Sequence, residues 1–190
     1  MDIFTAIKER RSCRSFLPDP MDSDVLEKIL EAGTLAPSAA NNQPWEFIVV
    51  TNAGIKSEIF TESEKCRKVL FKKSGWKWVD RYRIGFINEA PVIIAVVGDP
   101  KKTGADMFLE GGGLAYQHGC AAAIQNMLLA AHALGLGTLW FTLFEKDSIR
   151  KTLKIDQAKE PLALICLGKP AAAPPPTPRK AVKEIASFIS

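Results

Sequence analysis

With 190 residues the chain lies in the single-domain range and is long enough to bury a sizeable core. Its 47% apolar content and formal charge of +4, from 25 Lys plus Arg against 21 Asp plus Glu, exclude an intrinsically disordered chain and do not imply a bulk polyanion partner. The four cysteines are scattered without a Cys-x-x-Cys pair, the N-terminus has no signal-like apolar core, and the longest apolar run, Ala90 to Val97, is far short of the roughly 20 residues that span a bilayer, so a soluble, cytoplasmic protein without membrane contact is expected.

Asp2 to Arg10 reads as a short helix with Ile3 and Ile7 on one inward face, which carries Arg10 and Arg11 onto or beside that face. Arg10-Arg11-Ser12-Cys13-Arg14 then gathers three guanidinium groups and a hydroxyl within five residues. Arginine grips a phosphate with two parallel hydrogen bonds. The same residues also suit a plain helix C-terminus, where each cation gains roughly 0.3–1 kcal/mol. A second helix, capped by Ser23 or Asp24, runs to about Leu35, with Val25, Leu26, Ile29, Leu30 and Gly33 as its buried stripe.

Pro37 disfavours helical geometry at Ala36, and the polar run Ser38, Asn41, Asn42, Gln43 ends at Pro44 before a strand from Trp45. The carboxamides of Asn41, Asn42 and Gln43 match the alternating donor and acceptor edge of a flat heterocycle such as an isoalloxazine. An Asn-rich turn satisfying only its own backbone uses the same residues. From Lys65 to Arg83 the chain holds eight basic residues, one acid, and Trp76, Trp78 and Tyr82. That mixture suits a lid over an active site, a solvated amphipathic helix, or, less well, a single-stranded nucleic-acid surface.

Ala90-Pro-Val-Ile-Ile-Ala-Val-Val-Gly is apolar on both faces and reads as a fully buried strand. Lys101 to Gly113 reads as a loop with Gly111-Gly112-Gly113 as a flexible hinge, and Leu114 to Leu134 as the central core helix. A strand begins at Leu136, a short helix covers Lys146 to Leu153, and a strand covers Leu162 to Leu167. Residues 171–190 form a proline-rich arm beyond the 1–170 domain, which must cross its own domain or embrace a partner; Ala181 to Ile189 within it could be a strand or a short helix. His118 and His132 lack ligand spacing for zinc, and His132 reads as structural. No Gly-x-Gly-x-x-Gly, Gly-x-Ser-x-Gly or phosphate-loop motif is present.

Four separated blocks, Arg10–Arg14, Ala36-Pro-Ser-Ala-Ala-Asn-Asn-Gln-Pro-Trp45, Ile124-Gln-Asn-Met-Leu-Leu-Ala-Ala-His-Ala-Leu-Gly-Leu-Gly-Thr-Leu-Trp140, and Leu167-Gly-Lys-Pro170 with a late Pro178-Arg179, resemble the nitroreductase family of FMN-dependent oxidoreductases in order and spacing. The resemblance implies an α+β fold of three layers, with a mostly antiparallel sheet wrapped by helices, and a homodimer with FMN at the subunit interface. It implies that Arg10, Arg11, Ser12 and Arg14 hold the phosphate, ribityl chain and N1/O2 side of FMN, and that Arg179 closes on the phosphate. Pro37, Ser38, Ala39 and Asn41 would reach in from the other subunit, and the backbone of Trp140, Phe141 and Thr142 would face the ring near N5. The implied activity takes a hydride from NAD(P)H onto the flavin and passes it to a nitroaromatic or quinone-like acceptor in ping-pong fashion. Flavin-consuming and dehalogenating members of the family are the alternatives, no side chain is nominated as acid or base, and neither nucleic acid nor membrane is a partner. Two positions depart from the family pattern: Gly119, where relatives often carry Asp, and Thr142-Leu143-Phe144, where many carry Gly or Glu-Gly.

Overall fold

The computed structural model describes residues 1–189. Helices α1 (Ile3–Glu9) and α2 (Ser23–Thr34) lead to strand β1 (Trp45–Val50), and helices α3 (Ala53–Ser74), α4 (Lys77–Arg81) and α5 (Phe86–Glu89) connect it to β2 (Val92–Gly98). Helix α6 (Ala115–Ala133), strand β3 (Gly137–Phe141), helix α7 (Lys146–Leu153) and strand β4 (Glu160–Gly168) complete the domain. The sheet order is β1-β2-β4-β3, and each neighbouring pair is antiparallel.

The period-2 rule of a strand explains the three layers. Val92, Ile94 and Val96 of β2 pack with α2 and α6 through Ile29, Ala123, Ile124 and Met127. Ile93, Ala95 and Val97 pack on the opposite face with Ile59 of α3, Phe86 and Ile87 of α5 and Ile149 of α7. Both faces of β2 are therefore buried, as its uniformly apolar sequence requires. Pro161, which has no N–H for the ladder, coincides with a register shift between Val96 and Val97.

Three local expectations are corrected. Asp22, rather than Ser23 or Asp24, caps α2, accepting the N–H groups of Asp24 and Val25. The Gly111–Gly113 segment is a pinned turn: the Asp106 carboxylate accepts the N–H groups of Gly113, Leu114 and Ala115 and the Thr103 hydroxyl. A Cβ on Gly112 would lie 1.8 Å from the Asp106 carbonyl oxygen, so only glycine lets the turn close. Ile3 and Ile7 face outward, each 55% exposed, together with Phe4; the buried residue of α1 is Ala6. The arm after Lys169 runs largely exposed, and of the two alternatives for Ala181 to Ile189 the short helix is the one seen, as a 3-10 turn at Val182–Glu184.

Candidate functional site

The arginine-rich segment lies along the outer edge of β3. Ser12 forms a parallel bridge with Thr138, and the Cys13 N–H donates to the Thr138 carbonyl at 2.8 Å. On the other side of the segment, Phe16 bridges Pro170 and the Ala171 N–H donates to Ser15. The segment is thus held between β3 and the exit of β4. Beyond Ser12 the segment leaves β3, and the Leu17 N–H donates to the Lys169 carbonyl at 2.9 Å.

Arg10 and Arg11 line a cavity of about 380 Å³ with Glu9, His132, Thr138 and Pro174. Arg10 is half-buried, and its guanidinium makes no hydrogen bond among the described residues. Burial lowers its pKa from the ordinary value, and the nearby charges that add to the shift are Arg11 and Arg179, both positive. Arg11 donates to the carbonyls of Lys8 and Arg10, which serves the C-terminus of α1, yet its buried Nε has no partner. Arg179 is exposed and, among the described residues, donates to the neighbouring carbonyls of Thr177 and Pro178. His132, read from sequence as structural, lines the cavity with a buried, unpartnered Nε2. Cations that converge with no ion pair among the described residues, Glu9 being the one acid on the cavity, and with an orphaned donor among them, fit an anion of phosphate type. The residues present therefore suit the phosphate end of FMN.

Beyond Arg14 the surface turns aromatic. The Arg14 guanidinium stands 5.9 Å from the centroid of the Tyr82 ring. Phe141 is buried in the core, so it can offer only backbone to a ligand, whereas Trp140 and Thr142 are exposed. Trp140 and Thr142 line an apolar cleft of about 270 Å³ with Gln117, His118, Cys120, Ala121, Ile124 and Leu162. Burial pushes the Cys120 thiol up to about 12, which keeps it protonated and unreactive at neutral pH. Gln117 and Tyr82 were not singled out from sequence as site residues; the aromatic and basic composition of 65–83 pointed toward Tyr82, and nothing local marked Gln117.

The second predicted group lies elsewhere. Ala40, Asn41 and Gln43 all have positive φ, between 46° and 54°, and a 3-10 turn covers Ala39–Asn41. Ser38 accepts the Gln43 N–H through its hydroxyl, so part of the polar run does satisfy its own backbone. Asn41, however, is exposed, and its carboxamide makes no hydrogen bond among the described residues. The turn rests on α6: a Cβ on Gly119 would stand 3.2 Å from Pro44 Cγ and 3.3 Å from Ser38 Cβ. A larger residue there would push the loop outward, which gives Gly119 a packing role.

Pro37, Ser38, Ala39 and Asn41 precede β1, whereas Arg10 to Arg14 lie outside β3. From β1 to the Ser12 bridge is four strand spacings, about 19 Å across the sheet. One chain does not bring these two groups together.

The model of the nitroreductase family matches residues 7–169. A protein of Methanothermobacter thermautotrophicus, named as a candidate NADH dehydrogenase/NAD(P)H nitroreductase, is 32% identical over 178 residues, covering 92% of this chain and 80% of that one. The 5,6-dimethylbenzimidazole synthase of Rhodospirillum rubrum is 28% identical over 171 residues, 85% of this chain and 78% of the enzyme. Among solved structures, a candidate nitroreductase from Desulfovibrio desulfuricans in complex with FMN superposes with a TM-score of 0.77 at 28% identity, covering 100% of this chain and 98% of that one.

Proposed function

Because the chain belongs to the nitroreductase family, we propose that it is an FMN-dependent oxidoreductase that draws reducing equivalents from NAD(P)H and delivers them to an electron-poor aromatic or quinone-like acceptor. The observation that carries the reading is Arg10, whose half-buried guanidinium has no hydrogen-bond partner among the described residues and whose pKa is lowered by burial first and then by Arg11 and Arg179. FMN, when bound, supplies the hydride chemistry. Arg10, Arg11 and Arg179 would hold its phosphate and Ser12 its ribityl chain, and the edge backbone from Trp140 to Thr142 would meet its ring. Arg14 would place a positive charge where the ring gains negative charge on reduction, an interaction stronger after electron uptake than before it.

The loop at Pro37, Ser38, Ala39 and Asn41 would complete the site from a second copy of the chain. Its separation from Arg14 by the width of the sheet supports a two-fold homodimer, as do the outward Ile3, Phe4 and Ile7 of α1 and the exposed Val182, Ile185 and Phe188 of the 171–190 arm. Such an interface is expected to bury more than about 2,000 Å².

The test is direct. The purified protein, titrated with FMN, is expected to take up one flavin per chain and to oxidise NADH or NADPH with a quinone in ping-pong kinetics at constant flavin content. Protein that takes up no FMN overturns the reading at its base. Net consumption of the flavin in place of turnover would favour the flavin-consuming alternative. Light scattering that reports a flavin-loaded monomer would overturn the dimer.

A further inference from the structure

We propose that α4 and its flanks form a recognition wall for a ligand made of a planar ring bearing a negative charge. The proposal rests on the flavin-site reading above and names the class of ligand that meets it. Trp76 and Trp78 are each 56% exposed, two bulky rings on one short helix and its start. They are not isolated. Their ring centroids are 6.0 Å apart, Trp78 meets Tyr82 edge-on at 6.1 Å, and Tyr82 meets Arg14. An aromatic strip therefore runs from open solvent to the cation assigned to the flavin ring. Indole and phenol faces stack on flat ligands, and such contacts contribute about 0.5–1.5 kcal/mol beyond area burial.

Charge on the strip is one-sided. The single acid between Gly75 and Ile84 is Asp80, 4.0 Å from Arg67. Arg67, only 14% exposed at its side chain, also grips Glu64 and donates to the carbonyls of Val79 and Asp80, which fixes α4 against α3. That leaves Lys77, Arg81 and Arg83 with no ion-pair partner among the described residues, all of them exposed. Three free cations beside three aromatic rings favour a flat anion over a flat neutral molecule, and the preference should weaken as salt screens it.

Two sources share this chemistry. One is the hydride donor, whose nicotinamide ring is tethered to phosphates; the other is an acceptor whose ring carries a carboxylate. The experiment therefore has two arms, each comparing a charged and an uncharged ligand of similar ring size on FMN-loaded protein. In the acceptor arm 4-nitrobenzoate is set against 4-nitrobenzamide. In the donor arm NADPH is set against a phosphate-free N-benzyl dihydronicotinamide. At least one arm is expected to show a preference of about tenfold or more in kcat/KM for the charged member, falling with ionic strength. The double variant Arg81→Gln, Arg83→Gln is expected to collapse that ratio toward one, which a merely structural role for these exposed residues would not do. The arm that responds identifies the source.

Quenching of indole fluorescence by the same acceptor pair reads the wall whether or not flavin is bound, with Trp78→Ala expected to remove most of the signal. Equal behaviour of charged and uncharged ligands in both arms, or a preference that survives the double variant, would overturn the wall while leaving a flavin-loaded enzyme intact. A protein without flavin whose indoles still favour the anion would overturn the flavin reading instead.

Discussion

The two edges of the sheet carry the two halves of the candidate site, and they are built by opposite means. Outside β3, Arg10, Arg11 and Arg179 gather positive charge that no ion pair among the described residues meets. Ahead of β1, the Ser38–Gln43 turn has little net charge, but Ala40, Asn41 and Gln43 occupy left-handed backbone held down on Gly119. One half is a store of electrostatic energy that an anion releases. The other stores backbone strain, of the order of 1 kcal/mol per non-glycine residue, which persists because the surrounding packing fixes it. The first should respond to the cofactor and the second to the fold and the partner.

The sharpest way to break this contrast is Arg10→Ala. Loss of a charge-assisted contact of about 1.5–3 kcal/mol is expected to weaken FMN binding by roughly ten- to a hundred-fold, measured by flavin fluorescence titration, with little change in melting temperature of the flavin-free protein. An unchanged affinity would mean that the unpartnered guanidinium faces no phosphate. Arg14→Gln is the companion experiment: Arg14 is exposed, so its attraction to a reduced ring, about 4 kcal/mol near 4 Å at an effective dielectric of 20, is an upper bound that solvent screening reduces, and the two-electron midpoint potential should fall by tens of millivolts at most, with a smaller loss of retention than for Arg10. Potentiometry on flavin-loaded proteins decides it.

At the other edge the expected changes are in stability. Gly119→Ala forces Pro44 and Ser38 to give way and is expected to cost about 1–2 kcal/mol in denaturant unfolding, and to weaken dimerisation if the loop completes the partner's site. Ala40→Gly relieves a left-handed alanine and should gain up to about 1 kcal/mol, less the extra chain entropy of glycine in the unfolded state. The smallest effect is at Asp106. Burial pulls its pKa up, but the N–H groups of Ala115, Leu114 and Gly113 and the Thr103 hydroxyl outweigh this and hold it below the ordinary value. Its contribution to stability is therefore present above the ordinary carboxylate range and lost as pH falls through the lowered value. Asp106→Asn should flatten the acid limb of the thermal-stability profile.

Sequence patterning made the sheet legible where the chemistry was local. The apolar run of β2 reports two buried faces, the length of α6 follows from its small apolar residues, and clustered arginines advertise an unmet charge. It misread α1 because a period of four marks an apolar face without saying what covers it: Ile3 and Ile7 form such a face, and among the described residues it stays exposed. It misread the glycine run because flexibility in composition says nothing of Asp106, whose carboxylate converts that run into a closed turn. The role of Gly119 was likewise hidden, since the atoms that demand a glycine belong to Ser38 and Pro44, some eighty residues upstream.

The bridge between Ser12 and Thr138 has one more consequence. A sheet whose end strand shows free N–H and C=O groups is a template onto which other chains can polymerise. Here the segment that carries the arginines also screens that end of β3, and it is held by one bridge, the Cys13 N–H and the exit of β4. Stripping the anion from Arg10 and Arg11 leaves mutual repulsion in the screen, so loss of the cofactor should raise the rate of irreversible clumping, and free phosphate alone should slow it.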